Sequence, residues 1–307
     1  MNAQPQLATP PLPTPGPRLP RLTLRGVDHT ARPTWKLRET IEFYQGKLGL
    51  PLVHVISARG WGPATHPDFL HFFFDSGNGS AIAFFYYLGS DIPAGLLGRE
   101  TRPPLPDDHV FDATHTAWLV DGVDELQAWK RRLEAQGLVV SVETTHEVIE
   151  SIYVRDPNGY FVEFTRKLRP LANIDAADGA LTLQAALEAE DAARRCGQRV
   201  TAVDDIWSGK ARLLDAMHQR GGSAVGIYVP AVDEFSALVR DAAGRAECRV
   251  ARLGDYNLIE SDTPIEFGRK ALGLKPAIWY GLFTGGVRGR IEVFDRDRVV
   301  IAPLQAA

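Results

Sequence analysis

The apolar and polar positions divide the chain into short elements that occur twice in the same order. Residues 22–30 (LTLRGVDHT) alternate with the period of a half-buried strand. Residues 36–48 place Leu37, Ile41, Phe43, Tyr44 and Leu48 on a helical stripe that Gly49 ends. Three strand-like runs follow, 51–57, 69–74 and 80–88, the last two joined by a turn over Asp75–Gly79. The order is β-α-β-β-β. It returns as a strand over 112–120, a helix over 122–136 stopped at Gly137, and strands over 138–143, 149–154 and 160–166. The last two are joined by Asp156-Pro157-Asn158-Gly159, a strong turn sequence. His29-Thr30-Ala31 reappears 86 positions later as His115-Thr116-Ala117. Such a repeat predicts two copies of one supersecondary unit, each covering the sheet of the other.

The fold class expected is therefore α+β, with paired βαβββ units at 21–90 and 111–168 forming one domain over 21–168. Beyond it the pattern changes. Helices are expected over 181–195, 204–219 and 232–247. Strands are expected over 223–230, 248–253, 277–284 and 288–301, the last pair around Gly285-Gly286. Region 169–307 reads as a C-terminal α+β extension, a degenerate further βαβββ unit. It has no histidine on its first strand, and Glu292 there reads as a surface carboxylate. At the other end, seven prolines crowd residues 1–20, which predicts an extended or disordered tail.

Composition narrows the classes of function. The chain has 307 residues, 45% hydrophobic and 23% charged, with a net charge of -4. This is a soluble globular balance with no electrostatic reason to bind nucleic acid or an anionic membrane. No run approaches the roughly 18 apolar residues of a membrane span, and no basic-then-apolar leader opens the chain. A cytoplasmic protein is expected. Cys196 and Cys248 form no metal knuckle and are expected to be two buried free thiols.

The repeat also locates candidate chemistry. His29 and His115 lie at equivalent positions on the first strands, and Glu163 interrupts the apolar run Tyr160, Phe161, Val162, Phe164. A buried carboxylate is costly unless paired or metal-bound. Aligning Gly79 with Gly159 sets Ala83 opposite Glu163, so one unit offers one ligand and the other two. Two imidazoles and one carboxylate leave a metal face open, which suits Fe(II) and, nearly as well, Mn(II). A closed structural zinc site takes four ligands. The rings Phe72, Phe73, Phe74, Phe84, Phe85, Tyr86 and Tyr87 are expected to be mostly core.

Residues 22–168 resemble the vicinal oxygen chelate superfamily, which includes glyoxalase I, fosfomycin-resistance proteins and type I extradiol ring-cleavage dioxygenases. The stretch Thr144-Thr145-His146, Ile152-Tyr153, Asp156-Pro157-Asn158-Gly159 and Glu163 resembles the extradiol dioxygenase signature. That resemblance implies Fe(II) on His29, His115 and Glu163, a small catecholic or related aromatic substrate, and O2. It gives His146 an acid–base role and Tyr153 a hydrogen bond to a substrate oxygen. It also expects an acid–base histidine ahead of the second metal histidine, for which His109 is the nearby candidate. The stretch Pro103–Asp108 reads as a linker or lid, and Trp61–Asp68 as a loop over the site. A homo-oligomer is expected. The other readings are a Mn(II) or Zn(II) lyase, isomerase or thiol transferase, and a non-catalytic small-molecule binder. The two-domain dioxygenases of the family carry iron in their C-terminal pair of units, whereas here the candidate site is in the N-terminal one.

Overall fold

The computed structural model describes residues 26–60, 65–104, 109–222 and 224–304. The expected tail at 1–20, and parts of the expected loop and lid (61–64 and 105–108), lie outside these residues. The chain separates by its contacts into two compact units. One contains Leu19–Thr144 and Ile149–Leu168; the other contains Arg169–Ala307 and the stretch Thr145–Val148.

The first unit holds the two repeats. The first repeat is β1 (His29–Thr34), α1 (Leu37–Ile41), a π-helical turn over Glu42–Lys47, β2 (Leu52–Ala58), β3 (Phe69–Gly77) and β4 (Ser80–Tyr87). Its sheet order is β1-β4-β3-β2, with β1 parallel to β4 and the other pairs antiparallel. The second repeat is α2 (His109–Asp112), β5 (Thr116–Leu119), α3 (Val123–Ala135), β6 (Thr144–Thr145), β7 (Ile149–Arg155) and β8 (Phe161–Lys167). Its order, β5-β8-β7-β6 with β5 parallel to β8, is the same. Phe72, Phe74, Ile82 and Phe84 of one sheet share a single core with Ile152, Val154, Val162 and Phe164 of the other. The helices close that core with Phe43, Tyr44, Leu126 and Leu133.

The turn Asp156–Gly159 ties the repeats together. Asp156 Oδ1 accepts the backbone N–H groups of Asn158 (2.8 Å) and Tyr160 (2.9 Å), and its Oδ2 accepts the Tyr44 hydroxyl (2.9 Å). Asn158 accepts from Thr34 Oγ1 at 2.7 Å and donates to Thr40 Oγ1 at 3.1 Å. Gly159 has φ +85°, and a Cβ there would stand 2.3 Å from Arg99 Cβ, so both conformation and space require glycine.

Some boundaries differ from expectation. β1 begins at His29 instead of residue 22, and residues 22–25 lie outside the description. It runs through Pro33, which has no N–H to donate and which an edge strand tolerates where no ladder bond is needed on its outer side. Arg32 is buried in it, donating to Phe161 O and Thr116 Oγ1. The strand expected over 112–120 shortens to β5, because His109–Asp112 forms a helical turn. The strand expected over 138–143 reduces to an isolated bridge from Val140 to Val154.

Glu143 beside it accepts from Gln127 Nε2 at 2.7 Å and Lys130 Nζ at 3.0 Å. The Gln127 hydrogen bond, with its own backbone and Lys130, pushes its carboxyl down to about 2. The folded value lies below the unfolded one, so the contribution is complete above the unfolded pKa and is lost as pH falls through the folded pKa. Glu143→Gln is therefore expected to be less stable than the parent at about pH 6, and to approach it as pH falls from about 4.5 to about 2. Urea titrations at several pH values check this; a gap that does not narrow overturns it.

The second unit is the C-terminal α+β extension. It contains α4 (Asn173–Arg195), α5 (Val203–Met217), β9 (Val225–Pro230), α6 (Ser236–Ala243), β10 (Arg249–Leu253), β11 (Tyr256–Ser261), β12 (Ile265–Gly268), α7 (Pro276–Tyr280), β13 (Val287–Arg288), β14 (Arg290–Phe294) and β15 (Arg298–Ala302). The order β9-α6-β10-β11-β12 follows β-α-β-β-β, but the pairing differs from the repeats. β9 lies antiparallel to β11 and β13, and β12 joins a separate sheet, β12-β15-β14.

Three expectations are corrected here. Residues 277–284 do not form a strand; Pro276 opens the short helix α7, where its missing N–H costs nothing. Trp279 of that helix is fully buried and donates its indole N–H to Asp295 O at 2.7 Å. The hairpin turns at Asp295, which accepts the N–H groups of Asp297 and Arg298, and not at Gly285-Gly286. Cys196 is exposed and Cys248 only partly buried, so the expected pair of buried thiols is not found. Glu292 is exposed beside Arg290, as a surface carboxylate should be. No helix among the described residues is long and apolar enough to cross a membrane.

Candidate metal centre

The strand registers make the two repeats equivalent residue by residue. Ala31 of β1 pairs with Ala83 of β4, and Ala117 of β5 pairs with Glu163 of β8. Phe73 faces Ala83 as Tyr153 faces Glu163, and His71 faces Phe85 as Ser151 faces Thr165. Strand alternation puts Ser151, Tyr153, Glu163 and Thr165 on the face opposite the core residues Ile152, Val154, Val162 and Phe164. In the first repeat that face carries His71, Phe73, Ala83 and Phe85. The aromatic run therefore splits: Phe72, Phe74 and Phe84 are core, while Phe73 and Phe85 lie part-exposed on the other side.

Glu163 is only 3% exposed. Its Oε1 accepts the Ser151 hydroxyl at 2.5 Å, and Ser151 Oγ lies 3.0 Å from Thr165 Oγ1. Its Oε2 lies 2.9 Å from His115 Nε2. His115 stands immediately before β5, with Nδ1 3.0 Å from the Asp112 carbonyl oxygen. A carbonyl only accepts, so Nδ1 carries the hydrogen and the second nitrogen faces the carboxylate. An imidazole lone pair and a carboxylate oxygen repel at that distance unless a positive charge, a proton or a metal ion, serves both. Two donors each about 2.1 Å from one cation and at right angles around it are about 3 Å apart. The 2.9 Å spacing fits that arrangement. The Nδ1–H to backbone carbonyl bond is the usual outer support of a metal-bound histidine.

Tyr153 packs edge-on to His115, with ring centroids 6.4 Å apart. Burial, then the Glu163 charge, pushes its phenol up to about 12, and its hydroxyl shares hydrogen bonds with Ser151 and Glu163.

The other candidates are placed differently. His29 is the first residue of β1, with a side chain 40% exposed and Nδ1 2.7 Å from Asp28 Oδ1. Its ring meets Phe73 edge-on at 5.3 Å and lies 6.3 Å from His71. Among the described residues, no three His, Cys, Asp or Glu side chains are grouped to hold a metal. The structure thus brings His115 and Glu163 together and does not gather His29 with them. His109 is exposed at the start of α2. His146 belongs to Thr145–Val148, within the C-terminal unit.

Sequence reasoning missed Ser151 and the Asp112 carbonyl. Ser151 had a readable signal, since it stands two residues before Tyr153 and so shares its face. It gave no role to His71, which is buried, stacks on Phe85 at 3.7 Å, and has its pKa lowered mainly by that burial.

Residues 26–164 match the model of the Glyoxalase/Bleomycin resistance protein/Dioxygenase superfamily. No curated protein matches the chain. Among solved structures, a lactoylglutathione lyase from Agrobacterium tumefaciens is 22% identical, with 47% of this chain and 95% of that one covered and a TM-score of 0.33. A glyoxalase/dioxygenase from Nostoc punctiforme is 16% identical over 50% of this chain and 100% of that one, with a TM-score of 0.34. An antibiotic binding protein from Streptomyces sp. CB03234 is 16% identical over 48% and 99%, with a TM-score of 0.32. The residues that match this superfamily model, 26–164, are the ones that carry the duplicated βαβββ sheets.

Proposed function

We propose that this domain is a metal-dependent enzyme, and specifically an Fe(II) extradiol-type dioxygenase acting on a catecholic or related aromatic substrate with O2. The observation that carries the reading is the pairing of His115 Nε2 with Glu163 Oε2 at 2.9 Å, with His115 Nδ1 held by a backbone carbonyl. His29 is the proposed third ligand, from the equivalent register position of the first repeat. Bound there, Fe(II) would supply redox-active Lewis-acid chemistry. The chain supplies the rest. Ser151 fixes the Glu163 carboxylate, and Asp112 fixes the His115 tautomer. Tyr153, its hydroxyl held between Ser151 and Glu163, would turn that O–H from Glu163 to a substrate oxygen when substrate binds. Phe73 and Phe85, part-exposed on the equivalent face, suit an aromatic ring.

A second reading has its own support. Because His29 is engaged with Asp28 and stands outside any three-ligand group among the described residues, a small-molecule binder without chemistry is the alternative. One experiment separates them. The protein is purified without oxygen, supplied with Fe(II), and oxygen consumption is followed with a panel of catechols. Uptake with a yellow ring-opened product is expected. No uptake with any catechol overturns the dioxygenase reading. Stoichiometric metal without uptake then points to a Mn(II) or Zn(II) lyase, isomerase or thiol transferase, and saturable binding without metal points to the binder.

A further inference from the structure

The C-terminal unit contains a pocket of about 410 Å³, within the size range of small-molecule sites. One wall is apolar, built by Leu171, Ile174, Leu183, Val232 and Phe235. Three carboxylates, Glu147, Asp175 and Asp178, line it as well, together with Arg169.

Asp178 is set in place from below. Lys210 is fully buried, and its Nζ donates to Asp178 Oδ1 (2.6 Å), Thr182 Oγ1 (2.7 Å) and the Thr284 carbonyl (2.7 Å). All three ammonium hydrogens are used, so Lys210 is a fixed counter-charge and not an available nucleophile. Tyr256 adds its hydroxyl to the same oxygen, Asp178 Oδ1, at 2.8 Å. Asp178 Oδ2 has no hydrogen-bond partner among the described residues. A carboxylate clamped through one oxygen presents the other in a fixed direction.

Glu147 also has no hydrogen-bond partner among the described residues. Partial loss of water and the charges of Asp178, Glu234 and Asp175 hold its carboxyl above its ordinary range. The cation beside it is already committed. Arg169 donates to both oxygens of Asp175, at 2.8 and 2.7 Å, and to Glu234 Oε1 at 2.6 Å. Glu234 Oε2 is buried and has no hydrogen-bond partner among the described residues. Four carboxylates thus stand on or against the lining with two cations, Arg169 and Lys210. The surplus is negative, it is partly desolvated, and it adjoins apolar surface. No three of these acids are grouped to hold a metal ion, which disfavours an inorganic cation.

We infer that this pocket binds an organic cation, a primary or secondary amine on an apolar body, with its N–H groups taken by Asp178 Oδ2 and Glu147. The apolar wall takes the body. Lys210 and Tyr256 act as positioning residues that aim Asp178.

The test uses the full chain with a chelator present, and three probes of one shape: 2-phenylethylamine, 2-phenylethanol and phenylacetate. Isothermal titration calorimetry is expected to show saturable 1:1 binding of the amine, at least about tenfold tighter than the alcohol, and none of the anion. Glu147→Gln, at an exposed position, is expected to weaken the amine by about tenfold or more. Leu183→Arg, on the exposed side of the apolar wall, adds a positive charge and is expected to weaken it as well. Circular dichroism verifies that both variants fold. The inference is overturned if the alcohol binds as well as the amine, if phenylacetate binds more tightly, or if Glu147→Gln leaves amine affinity unchanged. Absence of saturable binding by 2-phenylethylamine, benzylamine and hexylamine at about 10 mM overturns it equally.

Discussion

Glu163→Ala is expected to lose stoichiometric Fe(II) and all oxygen uptake while keeping its fold. The carboxylate is the buried half of the His115–Glu163 pair, and no other acid shares its face of β7 and β8. Outer supports of a metal site typically contribute 10–100-fold in affinity, so Ser151→Ala should weaken Fe(II) by about that factor. Removal of Glu163 itself should exceed it, to more than about 100-fold. Metal analysis of anaerobically reconstituted protein measures both, and His115→Ala should match Glu163→Ala. Unchanged metal content in the Glu163 and His115 variants would remove the basis of the proposed function. Equal effects of Ser151→Ala and Glu163→Ala would show that the carboxylate supports the site from outside instead of binding the ion.

The largest stability effect is expected at Asp112. Its Oδ1 accepts from Arg99 at 2.7 Å and from Arg155 at 3.1 Å, and both guanidinium groups are almost fully buried. Arg99 also lies over the Phe111 ring, and Arg155 over Phe161. Asp112→Ala leaves two buried cations without their shared counter-charge, a change that typically costs 3–5 kcal/mol. Urea denaturation followed by tryptophan fluorescence should show a loss of about that size, with Asp112→Asn intermediate. A cost below about 1 kcal/mol would mean that the two arginines find other partners or water.

Much of the domain was legible because its pattern is local. The helix over 122–136, the strands β3, β4, β7 and β8, and the two tight turns follow from side-chain periodicity and from glycine, asparagine and proline at turn positions. The offset between the repeats set Ala83 opposite Glu163, and the strand register agrees. What was not legible depends on distant partners. Nothing near Asp112 in sequence announces Arg99 and Arg155, so a helical turn was read as strand. Residues 277–284 carry an apolar, aromatic composition that suits a strand equally well, and the buried Trp279 side chain decides for the helix. Such short apolar runs are ambiguous by periodicity alone. The candidate site was legible in the identity of His115 and Glu163. The placement of His29 was not, because a repeat shows which positions are equivalent and not how far apart their side chains end.

The match of register without a match of side chains has one more consequence. Ala83 and Glu163 sit at equivalent points of the two sheets, yet one face offers mainly aromatic rings and the other offers electron pairs. The duplicated scaffold is symmetric in shape and polarised in chemistry. A flat guest with its oxygens along one edge would therefore find its two ends unequal, and the architecture itself would select which way round it lies.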